Sequence, residues 1–212
     1  MKNNMLRIVC HGDSLTEGAD VDAHSRWPFL LQIALDVEVI NTGIGGDSTA
    51  GMLSRFPTDV VKHKPQAVIL LGGTNDFWWD LSLNTSISNL YTMAYQAQYH
   101  GIVPLFGLAL PFDVNQAKNQ YENEPEAGYD MLLKKIQQLN ARIKTLAQVD
   151  QITVINFYDL FLTDGRNVRT DCYLEDGVHP NVNGHLRMAD YAASIIKSCG
   201  ALDPNRELLK ES

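Results

Sequence analysis

Ala67-Val68-Ile69-Leu70-Leu71-Gly72-Gly73-Thr74-Asn75-Asp76 is the stretch from which the fold is read. Its first half is an unbroken apolar run. A strand with one wet face alternates apolar and polar residues, whereas a strand covered on both faces stays apolar throughout. Covering on both faces is the habit of parallel sheets that lie between helices. The run stops at two glycines and turns polar at once. In open α/β sheets ligands bind just beyond the carboxyl ends of the strands.

Outward from this stretch, strand-like and helix-like segments alternate. Upstream lie a short β-type run from Leu6 to Cys10 and a helix through Trp27 to Leu31, with Ser25 as its expected cap and Pro28 in its first turn. A strand over Val37 to Ile40 follows, then a helix over Ala50 to His63, irregular near Pro57. Downstream come a helix from Asn89 to Tyr99 with Gly101 as its C-terminal cap, and a strand from Ile102 to Leu110 that Pro111 stops. Leu132, Leu133, Ile136, Leu139, Ile143 and Leu146 recur at helical spacing within Tyr129 to Gln148. A fifth strand is expected at Ile152 to Phe157 and a last helix at Asn183 to Ser198.

Alternating β and α units of this kind imply parallel strands, right-handed crossovers and a three-layer α/β/α sandwich. The polar segment from Phe112 to Gly128 reads as the one long irregular stretch, and so as a candidate lid or substrate loop. No repeat, low-complexity tract or linker interrupts the chain. It reads as one domain over residues 1–212, with a core at about 6–198 and a polar tail at 203–212.

Composition narrows the class. A chain of 212 residues can bury about 70% of its unfolded surface. A formal net charge of -8 argues against nucleic acid as partner, because phosphate binding needs clustered Lys and Arg. The three cysteines, Cys10, Cys172 and Cys199, form no CxxC pair and no metal-ligand spacing, which fits a reduced compartment. The first residues lack an apolar signal core, and no segment reaches the roughly 18 apolar residues of a membrane span. The expectation is a cytoplasmic protein with no membrane span.

Four segments carry chemistry. His11-Gly12-Asp13-Ser14-Leu15-Thr16-Glu17-Gly18 follows the first strand, and Asp and Ser there also suit an ordinary helix start. Asn41-Thr42-Gly43-Ile44-Gly45-Gly46-Asp47-Ser48 follows the second. It partly matches the dinucleotide pattern G-x-G-x-x-G, but Ser48 holds the place of the third glycine and the strand is the wrong one. Gly72 to Asp76 follows the third strand, where Asn75 also suits a plain polar turn. Glu175-Asp176-Gly177-Val178-His179-Pro180 precedes the last helix. An Asp three residues before a His, in a loop broken by Gly and Pro, can bond the imidazole, fix its tautomer and stabilise its cation.

Together these blocks resemble the GDSL or SGNH hydrolases. The resemblance rests on Gly12-Asp13-Ser14-Leu15, on Gly46 within residues 41–47, on Gly73-Thr74-Asn75-Asp76 and on Asp176 to His179, in the family's order. It implies a flavodoxin-like α/β/α sandwich with a five-stranded parallel sheet and a serine esterase or acylhydrolase activity. By resemblance Ser14 is the nucleophile, His179 the base and then the acid, and Asp176 the residue that orients His179. The backbone N–H groups of Ser14 and Gly46 and the side-chain amide of Asn75 form the implied oxyanion hole. The substrate is a small ester, with no cofactor and no metal. Relatives also cleave acetylated sugars, acyl thioesters and lysophospholipids, so these remain alternatives. His11 departs from the small or apolar residue frequent before Gly12, and a packing or supporting role is expected for it.

Asp13, Trp78, Trp79 and Phe112 are candidates for substrate contact, although Trp27, Phe77, Trp78 and Trp79 also suit the core. Two rival classes are a metal-dependent hydrolase using Asp176, His179, His185 and Asp190, and a binding domain without catalysis. The first lacks a recognised metal spacing. The second would be expected to have lost a member of the triad or Asn75.

Overall fold

The apolar run at residues 67–71 forms the middle strand of the sheet, and all five of its side chains are buried. The computed structural model describes residues 6–203; the N-terminal reading at residues 1–5 and the polar tail beyond Asp203 lie outside them. In chain order the elements begin with β1 (Arg7–Gly12), α1 (Ser14–Glu17), α2 (Trp27–Leu35), β2 (Glu38–Gly43) and α3 (Thr49–Asp59). Next come β3 (Ala67–Leu71), α4 (Thr74–Trp78), α5 (Leu83–Tyr99), β4 (Val103–Gly107), α6 (Val114–Gln120) and α7 (Tyr129–Val149). The chain continues with β5 (Thr153–Ile155), α8 (Phe157–Leu160), β6 (Leu162–Thr163), β7 (Asn167–Val168) and α9 (Val182–Cys199).

The main sheet has five parallel strands in the order β2-β1-β3-β4-β5. This is the flavodoxin-like order, whose switch point lies at the carboxyl ends of β1 and β3. Side chains alternate between two cores. Val9, Val68, Leu70 and Phe106 pack with Phe56, Leu90, Ile136 and Leu139 from α3, α5 and α7. Ile8, Cys10, Ile69, Leu71 and Leu105 pack with Trp27, Leu31, Met188 and Ala192 from α2 and α9. No helix among the described residues is long and apolar enough to cross a membrane.

Several boundaries differ from expectation, each for a local reason. Ser25 does not cap α2. The N-cap is Arg26, which makes no side-chain cap bond, and the N–H of Trp27 instead donates to His185 Nδ1 of α9 at 3.2 Å. The helix start is thus capped by a distant ring. Helix α5 begins at Leu83, six residues before Asn89, despite Asn84, Thr85, Ser86 and Ser88. These are weak helix formers, but buried Ile87 and Leu90 and the bond from Ser86 Oγ to Asp76 hold the first turns. The segment at residues 112–128 is not irregular throughout. Asp113 accepts from the N–H groups of Asn115 and Gln116 and starts α6. The short β6–β7 hairpin went unforeseen because two residues per strand leave no periodicity to read.

Strand β4 ends at Gly107, before the expected Leu110; the Leu108 N–H still donates to the Ile155 carbonyl at 3.0 Å, but at Ala109 the backbone finds a side chain. The Ala109 N–H donates to Asn140 Oδ1 at 3.1 Å, and Asn140 Nδ2 donates to the Ala109 carbonyl at 2.8 Å. Asn140 is buried in α7, where this pair of bonds replaces a strand partner. Strand β5 likewise stops at Ile155, where Asn156 turns to cap α8. Asn140→Ala should therefore strip partners from two buried backbone groups and cost about 3 kcal/mol, read as a lowered urea midpoint with an unchanged slope. A loss below about 1 kcal/mol would show that water satisfies Ala109 instead.

Candidate active site

Ser14 stands at the first turn after β1, at the start of α1. Asp13 caps that helix by accepting from the Leu15 N–H at 3.0 Å, and Gly18 closes it in the left-handed region at φ 79°. Trp27, fully buried, donates its indole N–H to the Leu15 carbonyl at 2.9 Å and braces the turn from below. The Ser14 hydroxyl lies 2.9 Å from His179 Nε2.

His179 and Asp176 share the loop before α9. Asp176 Oδ1 accepts from the N–H groups of Val178 and His179, both at 2.9 Å, and Oδ2 lies 2.5 Å from His179 Nδ1. The loop is itself tied. The Leu174 N–H donates to the His179 carbonyl, and Asn181 Nδ2 donates to the Tyr173 carbonyl. Because an ionised carboxylate only accepts, the ring proton sits on Nδ1 and Nε2 receives the Ser14 O–H. Burial pushes the Asp176 carboxyl upward, but the His179 ring and the two backbone donors hold it at about 2. For His179, burial disfavours the cation, yet the hydrogen bond and charge of Asp176, aided by Asp13 and Asp20, raise it above its ordinary value.

Three candidate donors stand beyond the ends of β1, β2 and β3. The Ser14 N–H has no acceptor among the described residues, and neither has that of Gly46, which sits at φ 74°, where a side chain would be strained. Asn75, at the start of α4, donates from Nδ2 to the Asp47 carbonyl at 3.0 Å, leaving its second amide proton free of protein acceptors. Asp76 beside it is buried and accepts from the Thr49 N–H at 2.8 Å, the Thr49 hydroxyl at 2.5 Å and the Ser86 hydroxyl at 2.9 Å. That carboxylate binds the start of α3 to α4 and α5.

Arg55, unforeseen in the sequence, ties the same edge together. Its guanidinium donates to the Gly12 carbonyl at 2.8 Å, the Thr42 carbonyl at 2.5 Å, Asp47 Oδ2 at 2.7 Å and Asp59 Oδ2 at 2.9 Å. Its spacing to Asp59 was legible as an (i,i+4) pair; its bonds to two strand-end carbonyls were not. Tyr121, also unforeseen, donates to Asp176 Oδ2 at 3.1 Å. His11 is buried, with Nε2 donating to the Met52 carbonyl and Nδ1 facing the Thr42 hydroxyl, which is a packing role.

The remaining candidates are scattered. Phe112 and Asp13 are buried, 3% and 0% exposed, and so offer no face to a substrate. Trp27 and Phe77 are core residues. Trp78 is half-buried and packs its edge on Tyr121 and Tyr129, whereas Trp79 is 60% exposed. His185 is buried beneath Trp27, with burial holding it at about 4 as a neutral ring. It does not join Asp176 and His179 as a ligand cluster, and no group of three or more His, Cys, Asp or Glu suited to a metal occurs among the described residues.

With this geometry in hand, comparison with known proteins is informative. The model of the GDSL-like lipase/acylhydrolase family matches residues 10–187. A protein of Escherichia coli K12 named thioesterase 1/protease 1/lysophospholipase L1 is 36% identical, over 90% of this chain and 83% of its own. The esterase TesA of Pseudomonas aeruginosa is 35% identical over 49% of this chain, which spans 55% of that relative's length. The crystal structure of a GDSL-like lipase from Bacteroides thetaiotaomicron superposes with a TM-score of 0.70 at 26% identity, covering 91% of this chain and 86% of that one.

Asp13 supplies a test of the site's electrostatics. Burial raises its carboxyl to about 7, against the Leu15 N–H and the His179 charge, which lower it. Its folded value thus lies above its unfolded value, so its contribution to stability is full below about pH 4 and is lost as pH rises through about 7. Asp13→Asn keeps an acceptor for Leu15 but cannot ionise. Relative to the variant, the wild type should lose stability between pH 5 and pH 8 in urea unfolding. Parallel pH profiles for the two proteins would show that Asp13 ionises normally despite its burial.

Proposed function

The chain belongs to the GDSL-like lipase/acylhydrolase family, and from that footing we propose that it hydrolyses carboxylic esters with Ser14 as nucleophile, His179 as general base and acid, and Asp176 as the orienting carboxylate. The observation that carries this reading is the 2.9 Å contact between Ser14 Oγ and His179 Nε2, with Nδ1 of the same ring engaged by Asp176. A serine hydroxyl is a weak nucleophile until a base takes its proton.

In the proposed course, Nε2 removes the hydroxyl proton as Oγ attacks the ester carbon. Negative charge moves to the carbonyl oxygen, which meets the N–H groups of Ser14 and Gly46 and the free amide proton of Asn75. Such donors act on charge that is fully formed only near the transition state. The imidazolium then protonates the departing alcohol, leaving an acyl group on Ser14. Water, deprotonated by the same ring, repeats the attack and releases the acid. No metal or cofactor enters these steps. Asp176, held at about 2, stays ionised throughout and stabilises the imidazolium.

The substrate class is a small ester. Its acyl length is read by a series of aryl esters run beside an acetylated sugar and an acyl thioester, which are the alternatives raised by the family resemblance. Half-buried Trp78 and exposed Trp79 lie two and three residues beyond Asp76, so both are within the chain's reach of such a substrate.

Ser14→Ala should abolish hydrolysis by a factor on the order of 10⁴ or more, with circular dichroism unchanged. A serine-directed organophosphorus reagent should leave one adduct, found by mass spectrometry on the Ser14 peptide. A variant retaining a few per cent of activity would overturn the nucleophile assignment.

Asn75→Ala should lower kcat by about 10²–10³ with little change in KM, equivalent to about 2.7–4 kcal/mol for one lost oxyanion donor. A change confined to KM would mean that Asn75 grips the ground-state substrate instead.

A further inference from the structure

We propose that Tyr121 is a positioning residue for the proposed reaction: its hydroxyl is the donor from outside the loop that completes the coordination of Asp176 and so sets how strongly that carboxylate supports His179. The inference rests on the Ser14–His179–Asp176 reading above. Asp176 accepts four hydrogen bonds. Oδ1 takes the N–H groups of Val178 and His179, and Oδ2 takes His179 Nδ1 and Tyr121 Oη. The first three donors belong to the carboxylate's own loop, within three residues of it. Tyr121 comes from the C-terminal end of α6, 55 residues away in sequence.

The direction of the bond is fixed by charge. An ionised carboxylate only accepts, so the phenol must donate, and burial with the charge of Asp176 keeps that proton on the phenol by raising Tyr121 above its ordinary range. Helix α6 is fastened to the catalytic loop at both ends. At its start the Asp113 N–H donates to the Gly177 carbonyl at 2.9 Å. At its end the Tyr121 ring is held edge-on by Trp78, with centroids 5.2 Å apart. The polar segment after β4 thus delivers a proton donor to the acid of the proposed triad.

Donation by Tyr121 has two opposed consequences. It fixes the carboxylate plane, which favours the Nδ1–H geometry. It also draws negative charge from Oδ2, which weakens the support given to the imidazolium. The other charged or titratable groups facing His179 are Asp13 on the β1–α1 turn, Asp20 after α1 and His185 on α9. Removing the Tyr121 hydroxyl leaves all of these in place.

Tyr121→Phe keeps the ring against Trp78 and removes only the hydroxyl. In pH profiles of kcat/KM for an aryl ester, the ascending limb should move up by about half a pH unit, and the plateau kcat should fall roughly threefold with KM unchanged. In the Asp176→Asn background the same substitution should leave the limb where it is, because the acceptor has lost its charge. A readout without turnover is the low-field proton NMR signal of His179 Nδ1–H, which should shift in Tyr121→Phe. A limb and an Nδ1–H signal both unmoved by Tyr121→Phe, in a protein whose limb does move with Asp176→Asn, would overturn the role of Tyr121 alone. A limb unmoved by Asp176→Asn would overturn the triad reading and this inference with it.

Discussion

Gly12, Gly43 and Leu71 stand level across three parallel strands, since Gly12 pairs with Gly43 on one side and with Leu71 on the other. Everything else in the site depends on that register. Parallel strands deliver all their outgoing loops to one edge, and equal strand ends bring the loops after β1, β2 and β3 to one height. The approach is close enough that side chains are not tolerated. A Cβ at Gly43 would lie 2.1 Å from the backbone nitrogen of Glu17, so the turn that presents Ser14 would have to move.

Where these ends come together the strand-end carbonyls take side-chain donors as well as backbone ones; the Gly12 carbonyl already accepts from the Ile44 N–H at 3.1 Å. Arg55 adds a bond to two of them at once, with the Gly12 and Thr42 carbonyls on one guanidinium and Asp47 balancing its charge. Asp76 does the complementary work with donors, collecting the Thr49 backbone and hydroxyl and Ser86. A polar group taken out of water is costly unless it is bonded, and partly buried Arg55 and buried Asp76 each have several partners. The loop at Gly46 is thereby set between Arg55 and Asp76, while Asn75 reaches across to the Asp47 carbonyl.

Buried carboxylates in this site behave differently because their partners differ. Asp176 gathers several hydrogen bonds and is held at about 2, whereas Asp13 has one bonded oxygen and one buried oxygen without a partner among the described residues, and rises to about 7. Burial alone pushes both upward; the count of donors decides where each ends. The two acids flank one imidazole, and both favour its cation. The hydroxyl of Tyr121 is part of this balance, which ties the polar helix after β4 to the charge state of the ring.

What the sequence determined by itself is whatever is local or periodic. The apolar run at 67–71 implied a strand covered on both faces, and it lies in mid-sheet with two cores around it. Three of the four polar blocks follow β1, β2 and β3 and the fourth precedes α9, where Asp176 three residues before His179 signalled a pair that shares one short loop. Tertiary structure decided what depends on distant partners. It ended β4 early because Asn140 takes the backbone of Ala109, and it capped α2 with His185 rather than Ser25. It turned Phe112 and Asp13 inward, and it brought Arg55 and Tyr121 to the site from α3 and the end of α6, where no local pattern marks them. The physical reason is the same in each case. A backbone group or charge removed from water takes whichever partner the packing of the sheet and helices brings within reach, and that partner need not be near in sequence.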